Sequence, residues 1–500
     1  PTSMIESLLA LATATTLYNV LWSTLAGIVI GALPGLTATM GLALMTSLTY
    51  TMDGRQAILV LICLYVGSIY GGSRSAILLN IPGTPANAAT ALEGHPMARR
   101  GEGQRALGLA TVASLVGGLI GGIALALIAP LLAELALGFG SIEYFLLGMV
   151  GIIVAGKMTS ADDPLKGWIA GFVGLAIATV GQEAMHAYPR FAFGSLDLAG
   201  GISLIPAMVG AFGISELLFS LGAGRAQMSE ASTDVSGLGS NIRDMIRRKV
   251  TVIRSSLIGI VIGVIPGVGE DIASWISYGA ARRASRTPDE FTKGSDDGLI
   301  AAETANSAAL PAAIIPALTL AVPGSAPAAV LLAAMFIHNV RPGPMIMIEN
   351  PDFVAAVCWM VIFGTIAMAV MGLLLTRPLL YVLRIPREYL TPVVFCLCLI
   401  GPYALSQRLF DVYVVLAFGL LGFAMRLMRY PMAPLILGII LGGMVDQNLR
   451  RMLQLIDRDP TQIFTRPIAL VLIAICLAAI FMGTSKRSEA RIPSVSREAD

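Results

Sequence analysis

The sequence predicts an all-α polytopic membrane protein built from two inverted-topology repeats, with broken helices or re-entrant hairpins. Three observations carry that prediction. First, 56% of the 500 residues are hydrophobic and only 13% are charged, about half the charge of a soluble domain. Second, apolar runs long enough to span a bilayer recur along the whole chain, giving roughly 10–14 membrane segments. Third, GIVIGALPGLT (Gly27 to Thr37) returns as GIVIGVIPGVG (Gly259 to Gly269), 232 positions later. Glycines four apart let another backbone approach closely, and the Pro-Gly pair that follows must break the helix. A break inside an apolar run is tolerated only where the freed backbone is buried or lines a cavity. Paired breaks in the two halves are the best sequence pointer to a transport site.

The elements follow in order. Residues 4–16 read as a short apolar lead-in. The stretch from Thr16 to Tyr50, broken at Pro34-Gly35, is either a re-entrant hairpin or a long broken span. Arg55 to Gly72 is an ordinary span, followed by a second break in SAILLNIPGTPANAAT (Ser75 to Thr90) and a basic loop, HPMARRGEGQR. Spans follow near 106–133, 141–157, 164–181 and 201–222. Residues 1–222 thus form the first repeat and 223–250 a polar cytoplasmic linker. The second repeat, 251–484, carries its first break at Pro266-Gly267. Its second lies in AVPGSAPAA (Ala321 to Ala329), which resembles NIPGTPANA (Asn80 to Ala88). Spans near 353–376, 389–406, 408–425, 431–447 and 466–483 precede a polar tail, 485–500.

Charge gives the orientation. The arginines and lysines at 99–105, 157–166, 243–249, 282–286, 377–387 and 426–429 collect on one side if both Pro-Gly elements are hairpins. By the positive-inside rule that side is the cytoplasm. An odd number of crossings then separates the two elements, so they enter from opposite faces. Arg450, Arg451 and Arg458 fall on the outer side and fit this map badly. The five cysteines lie inside apolar runs and read as buried thiols, with no disulfide or zinc spacing. A net charge of +2 gives no reason to expect nucleic acid, and the N-terminus shows no cleavable signal pattern.

Helix ends meeting inside the membrane offer unpaired N–H groups, which suit a carboxylate, and unpaired carbonyls, which suit a sodium ion. Small or polar residues surround all four breaks. Pro34, Gly35, Thr37 and Thr39 stand at the first; Asn80, Gly83, Thr84 and Asn87 at the second. Gly267, Gly269, Glu270 and Asp271 stand at the third; Gly324 and Ser325 at the fourth, with Asn306 and Ser307 in the run before it. Gly267, Asp271 and Gly324 are the candidates for sodium. Threonine or serine after a break is also a helix N-cap. Glu270 and Asp271 are costly inside lipid, or else cap a helix at its surface; Glu303 poses the same choice. Arg74 is either an interfacial positive-inside residue or a contact for a substrate carboxylate. His95, His186 and His338 form no metal set, and no phosphate loop or nucleophile elbow stands out.

The paired motif, with LLNIPGTPANAAT, ALEGHPMARRGEG and AVPGSAPAA, resembles the large membrane subunit (TctA) of the tripartite tricarboxylate transporter family over roughly residues 15–485. Family members commonly show G-x-G after the first proline; here Thr37 replaces the second glycine. The resemblance implies a permease in the bacterial inner membrane. Its partners would be a small four-helix membrane subunit and a periplasmic substrate-binding protein. Its cargo would be an organic carboxylate such as citrate, driven by a sodium or proton gradient, with no other cofactor and no enzymatic activity. The alternatives are a carboxylate channel and an intramembrane enzyme.

Overall fold

A computed structural model of the chain describes residues 2–33, 36–160, 163–183, 187–220, 238–376, 378, 381, 387–458 and 461–481. Pro34, Gly35, His186, most of the 223–250 linker and the 485–500 tail lie outside the described residues. Apart from a two-residue hairpin, β1 (Gly181–Gln182) with β2 (Pro189–Arg190), the described fold is helical. Among the described residues, nine helices are long and apolar enough to cross a membrane. Together with the shorter apolar helices they make a multi-pass membrane protein.

The first half runs α1 (Thr2–Leu11), α2 (Ala14–Ala32), α3 (Ala38–Leu48), α4 (Gly54–Leu79), α5 (Pro85–Met97), α6 (Gly103–Leu137), α7 (Ser141–Thr159) and α8 (Pro164–Ala178). After β1 and β2 come α9 (Leu196–Ala199), α10 (Leu204–Met208) and α11 (Ser215–Ser220), the last two joined through a π-helical stretch, Val209–Ile214. The second half runs α12 (Leu238–Arg247), α13 (Lys249–Gly263), α14 (Gly269–Ala284), α15 (Asp296–Leu320), α16 (Ala326–Ile337), α17 (Ile346–Glu349) and α18 (Pro351–Leu374). It ends with α19 (Arg387–Ser406), α20 (Leu409–Leu427), α21 (Met432–Arg458), α22 (Gln462–Thr465) and α23 (Pro467–Phe481).

The duplicated glycines form a duplicated joint. A Cβ on Gly27 or Gly31 would lie 2.3 or 1.9 Å from the carbonyl oxygens of Leu64 and Ser68. On Gly259 or Gly263 it would lie 2.5 or 2.6 Å from those of Ala305 and Ala309. Backbone therefore rests on backbone at both places. Contacts that advance together mark parallel helices, so α2 runs parallel to α4 and α13 to α15. The short helix between each pair must then turn back. Pro266-Gly267 accordingly sits at the tip of a hairpin and does not interrupt a full span, and α3 turns back against α2 in the same way.

The two halves are inverted with respect to each other. Gly117 and Gly121 of α6 meet Thr304 and Ala308 of α15, so these helices are parallel. Gly364 and Gly372 of α18 meet Cys63 and Tyr70 of α4, so those are parallel as well. Gly118 and Gly122 of α6 meet Thr365 and Ile362 of α18 in opposite order, which makes α6 antiparallel to α18. Hence α4 and α15 run oppositely, and the hairpins enter from opposite faces. The packing is also exchanged between halves: α6 covers the central helix of the second half and α18 that of the first. α15 is buried from Gly298 to its end and α4 over nearly all of its length.

Arg450, which fits the charge map badly, is compensated. It pairs with Glu183 at 3.0 Å and Asp446 at 3.3 Å. Asp446 also binds Arg190 of the β hairpin at 2.9 Å, which holds that guanidinium above its ordinary range. The cysteine expectation is corrected. Cys63, Cys358 and Cys398 are buried, but Cys396 is exposed and Cys476 half-buried, because an apolar run also presents an outward face to lipid.

Candidate functional site

Both central helices end alike. Asn80 closes α4 and Ala321 closes α15 in the left-handed conformation, each with φ of 55°. Alanine has no side-chain bond to favour that region, so the shared geometry belongs to the repeat. The chain then doubles back into the protein. At the turn a Cβ on Gly83 would lie 2.5 Å from the Gly31 carbonyl oxygen, and one on Gly324 2.5 Å from that of Gly263. A new helix starts at each place, α5 after Thr84 and α16 after Ser325. Ser325 Oγ accepts from the Ala328 N–H at 3.2 Å. Asn87 Oδ1 accepts from the Thr84 N–H and hydroxyl at 3.1 and 2.7 Å.

The hairpin helices start at the same depth. Thr37 caps α3 by accepting from the Met40 N–H at 3.2 Å. α14 starts at Gly269, whose φ of 58° suits glycine, with Glu270 and Asp271 in its first turn. The halves meet across these starts. Asp271 Oδ1 accepts from the Ala86 N–H of α5 at 3.2 Å. Tyr65 of α4 donates to Glu270 Oε1 at 2.9 Å, which leaves Ser325 to donate to the Tyr65 oxygen at 2.8 Å.

A cavity of about 330 Å³ lies over these four N-termini, at the lower end of the roughly 300–1,000 Å³ of ligand pockets. Its wall carries Thr37, Ala38 and Thr39 from α3, and Thr84 and Pro85 from α5. Glu270, Asp271 and Ile272 come from α14, and Ala326 and Pro327 from α16. The far wall holds Thr159, Phe212, Ser215, Glu216, Arg426, Tyr430 and Met432. Arg426 is ion-paired with Glu216 and stacked 4.4 Å over the Phe219 ring. In the order of crossings, Thr159, Glu216, Arg426 and Tyr430 come at the ends of α7, α11 and α20 that adjoin the arginine-rich segments.

The sequence model of the tripartite tricarboxylate transporter TctA family matches residues 17–437. The chain belongs to the TctA family. It is 34% identical over 492 residues, 98% of this chain and 96% of the relative, to an uncharacterized 52.8-kDa protein of the TAR-I ttuC' 3' region of Agrobacterium vitis. A second relative, an uncharacterized protein of the TAR-II ttuC' 3' region of the same organism, is 30% identical over 242 residues, 48% of this chain and 97% of that one. No solved structure matches. TctA membership makes the chain a membrane transporter component that works with other parts of a tripartite system.

Of the positions singled out in the sequence, Thr37, Thr39, Thr84, Glu270 and Asp271 line the cavity of this TctA protein. Pro34 and Gly35 lie outside the described residues. Asn80, Gly83, Asn87, Gly324 and Ser325 stand behind the wall and shape the breaks. Gly267 donates its N–H to the Pro323 carbonyl at 3.2 Å and so ties the second hairpin tip to the fourth break. Gly269 packs on Ser325. Asn306 and Ser307 are buried in α15 away from the cavity. Arg74 is neither interfacial nor on the cavity wall. It is buried, donating to the Tyr70 hydroxyl and the Gly372 carbonyl, both at 2.8 Å. His95 contacts the Ile77 carbonyl at 3.1 Å. Sequence reasoning missed Tyr65, which no motif marks. It missed Arg426 as well, which reads only as one more positive-inside residue.

Proposed function

We propose that the protein is the permease subunit of a binding-protein-dependent secondary transporter that imports an organic carboxylate, driven by a sodium or proton gradient. The convergence of four helix N-termini from both halves on one cavity carries this reading. Each N-terminus brings unpaired N–H groups and the positive end of its dipole, which is how a protein holds an anion without a matching set of fixed charges. Hydroxyls at Thr37 and Thr39 add donors, and Arg426 supplies a guanidinium suited to a carboxylate. A di- or tricarboxylate such as citrate fits this chemistry. Asp271 and Glu270, whose Oε2 has no partner among the described residues, are cavity-wall carboxylates available to a cation, and the Gly267 and Gly324 carbonyls near Asp271 would complete a sodium site.

Import of a multiply charged anion against a negative-inside potential costs about 2.3 kcal/mol per charge per 100 mV, so cations must accompany it. Alternating access would move the four breaks, carried on α2–α5 and α13–α16, against the wall formed by α7, α11, α20 and α21. With its far wall at helix ends next to the arginine-rich segments, the cavity would release its cargo into the cytoplasm. A periplasmic binding protein and a small membrane subunit of about four helices would complete the assembly in a bacterial inner membrane.

The test is uptake of labelled citrate into vesicles holding the chain with its small subunit and binding protein, with sodium and proton gradients imposed singly. Gradient-dependent accumulation is expected. Flux that only follows citrate downhill would make the protein a channel, and uptake that survives collapse of both gradients but requires ATP would reject the mechanism.

A further inference from the structure

Glu303 lies in the N-terminal third of α15 and is fully buried. It is not on the cavity wall, and among the described residues no cation pairs with it. Its neighbours are hydroxyls from three other helices. Thr90 of α5 donates to Oε1, Ser114 of α6 donates to Oε2 at 2.9 Å, and the Ser73 hydroxyl of α4 faces the same carboxyl. Three first-half helices thus hold one second-half carboxyl. Beside Ser114, a small void of about 10 Å³, also lined by Ser307 and Thr365, has the room of a single water.

Most titratable groups on the packed elements are engaged elsewhere, the Arg254 Nε and the Glu270 Oε2 being without a partner among the described residues. On α4, Arg74 is held by Tyr70 and the Gly372 carbonyl, and Tyr65 by Glu270. On α5, Glu93 accepts from Tyr278 and three backbone N–H groups, and His95 meets the Ile77 carbonyl. On α14, Asp271 accepts from Ala86. On α6, Arg105 binds Asp244 and Asp296. Arg254 of α13 is not within ion-pair distance of Glu303. A charged carboxylate in this position has no compensating charge, and such a group in lipid gives way by taking up a proton.

Resting on the transporter reading above, we propose that Glu303 is the proton-carrying carboxyl of the transport cycle, separate from the cavity that takes the carboxylate. The connection runs through Ser73. When Glu303 is ionised, the surrounding hydroxyls donate to it. When it gains a proton it must itself donate to one of them, and that hydroxyl has to turn over. Ser73 also accepts from Asn87 Nδ2 at 2.9 Å, and Asn87 Oδ1 holds the Thr84 N–H and hydroxyl at the cavity wall. Thr84, Asn87 and Thr90 lie three apart on one face of α5, so loading of Glu303 reaches the cavity along that face. Each cycle moves one proton on and off the carboxyl, and no bond other than its O–H is made or broken.

Two measurements test this. Infrared spectra of the full chain in lipid, taken across a pH series with no carboxylate added, read the carboxyl C=O band. The expected result is a protonated-carboxyl band that bleaches as pH rises and is missing from Glu303→Gln. In Ser114→Ala, which keeps the carboxyl but removes one donor to its charged form, the bleaching moves to higher pH. In proteoliposomes with the partner subunits, uptake of citrate driven by a pH gradient should fall about tenfold in Glu303→Gln, with citrate–citrate exchange within about twofold of wild type. A band that persists in Glu303→Gln, or that responds to sodium at fixed pH, overturns the proposal. So does loss of gradient-driven uptake and exchange in equal measure. The infrared result needs no transported substrate, so it stands or falls even if citrate is not carried.

Discussion

The two hairpins share a frame and differ at their tips. Both are clamped by two glycines four apart onto the carbonyl groups of a central helix. Both end at a helix start on the cavity wall. The first start presents Thr37, Ala38 and Thr39, while the second presents Glu270 and Asp271. The frame is duplicated because close backbone contact tolerates no side chain, and that constraint is the same in both halves. The tips are free to diverge because they face a space and not a backbone. An anion with a companion cation gains from that asymmetry, since neutral donors and carboxylates cannot serve both equally well.

The largest effects should come from breaking the frame. Gly31→Ala places a methyl 1.9 Å from the Ser68 carbonyl oxygen and Gly263→Ala one 2.6 Å from that of Ala309. Overpacking of this kind costs about 1–3 kcal/mol or more. Thermal unfolding of the purified chains should show a loss larger for Gly31 than for Gly263, and little or none for Gly443→Ala, where the new methyl meets open space. Equal behaviour of all three would remove the joint from the account.

The next effects concern the tips. Asp271→Asn should abolish the sodium dependence of citrate uptake and lower its rate about tenfold or more, as expected for an acid kept inside a membrane protein for function. Thr39→Val should lower the rate severalfold with its cation dependence intact, since only one neutral donor is lost. Uptake assays over a series of sodium and pH gradients separate the two, and matching responses would mean that the tips do not divide the labour. Tyr65→Phe removes the hydroxyl between Ser325 and Glu270 and should cost about 1–3 kcal/mol of stability, read as a lower unfolding midpoint. The smallest effect is expected away from the tips. Arg450→Ala on the partly exposed outer side should change stability by about 0–1 kcal/mol and be masked by salt.

The frame was legible in the sequence and the far wall of the cavity was not. Proline beside glycine in an apolar run has few uses, so the four breaks announced themselves, and Thr37, Thr84 and Asp271 followed by position. Gly83 and Gly324 show where such reading stops. A glycine kept for a ligand and one kept for a neighbouring backbone are written identically, and these two touch Gly31 and Gly263. Tyr65 sits in an unbroken helix among apolar residues, and only its long-range partners give it meaning. Arg426 joins the cavity because α20 lies opposite the breaks, a tertiary fact that no local pattern encodes. That α2 and α3 form a hairpin and not one continuous span follows from the parallel course of α2 and α4, which depends on contacts about 37 residues apart.

The exchanged packing also imposes an order in time. Arg74 enters the bilayer with α4, but the Gly372 carbonyl that receives it is 298 residues downstream. At about 5–20 residues per second of synthesis, this arginine must wait roughly 15–60 s for its acceptor. During that interval a charged side chain and a glycine-notched helix face stand uncovered in lipid. Biogenesis of this chain should therefore depend on whatever shelters half-built membrane proteins, and a ribosome stalled before residue 372 should leave α4 open to proteases and to crosslinking by the insertion machinery.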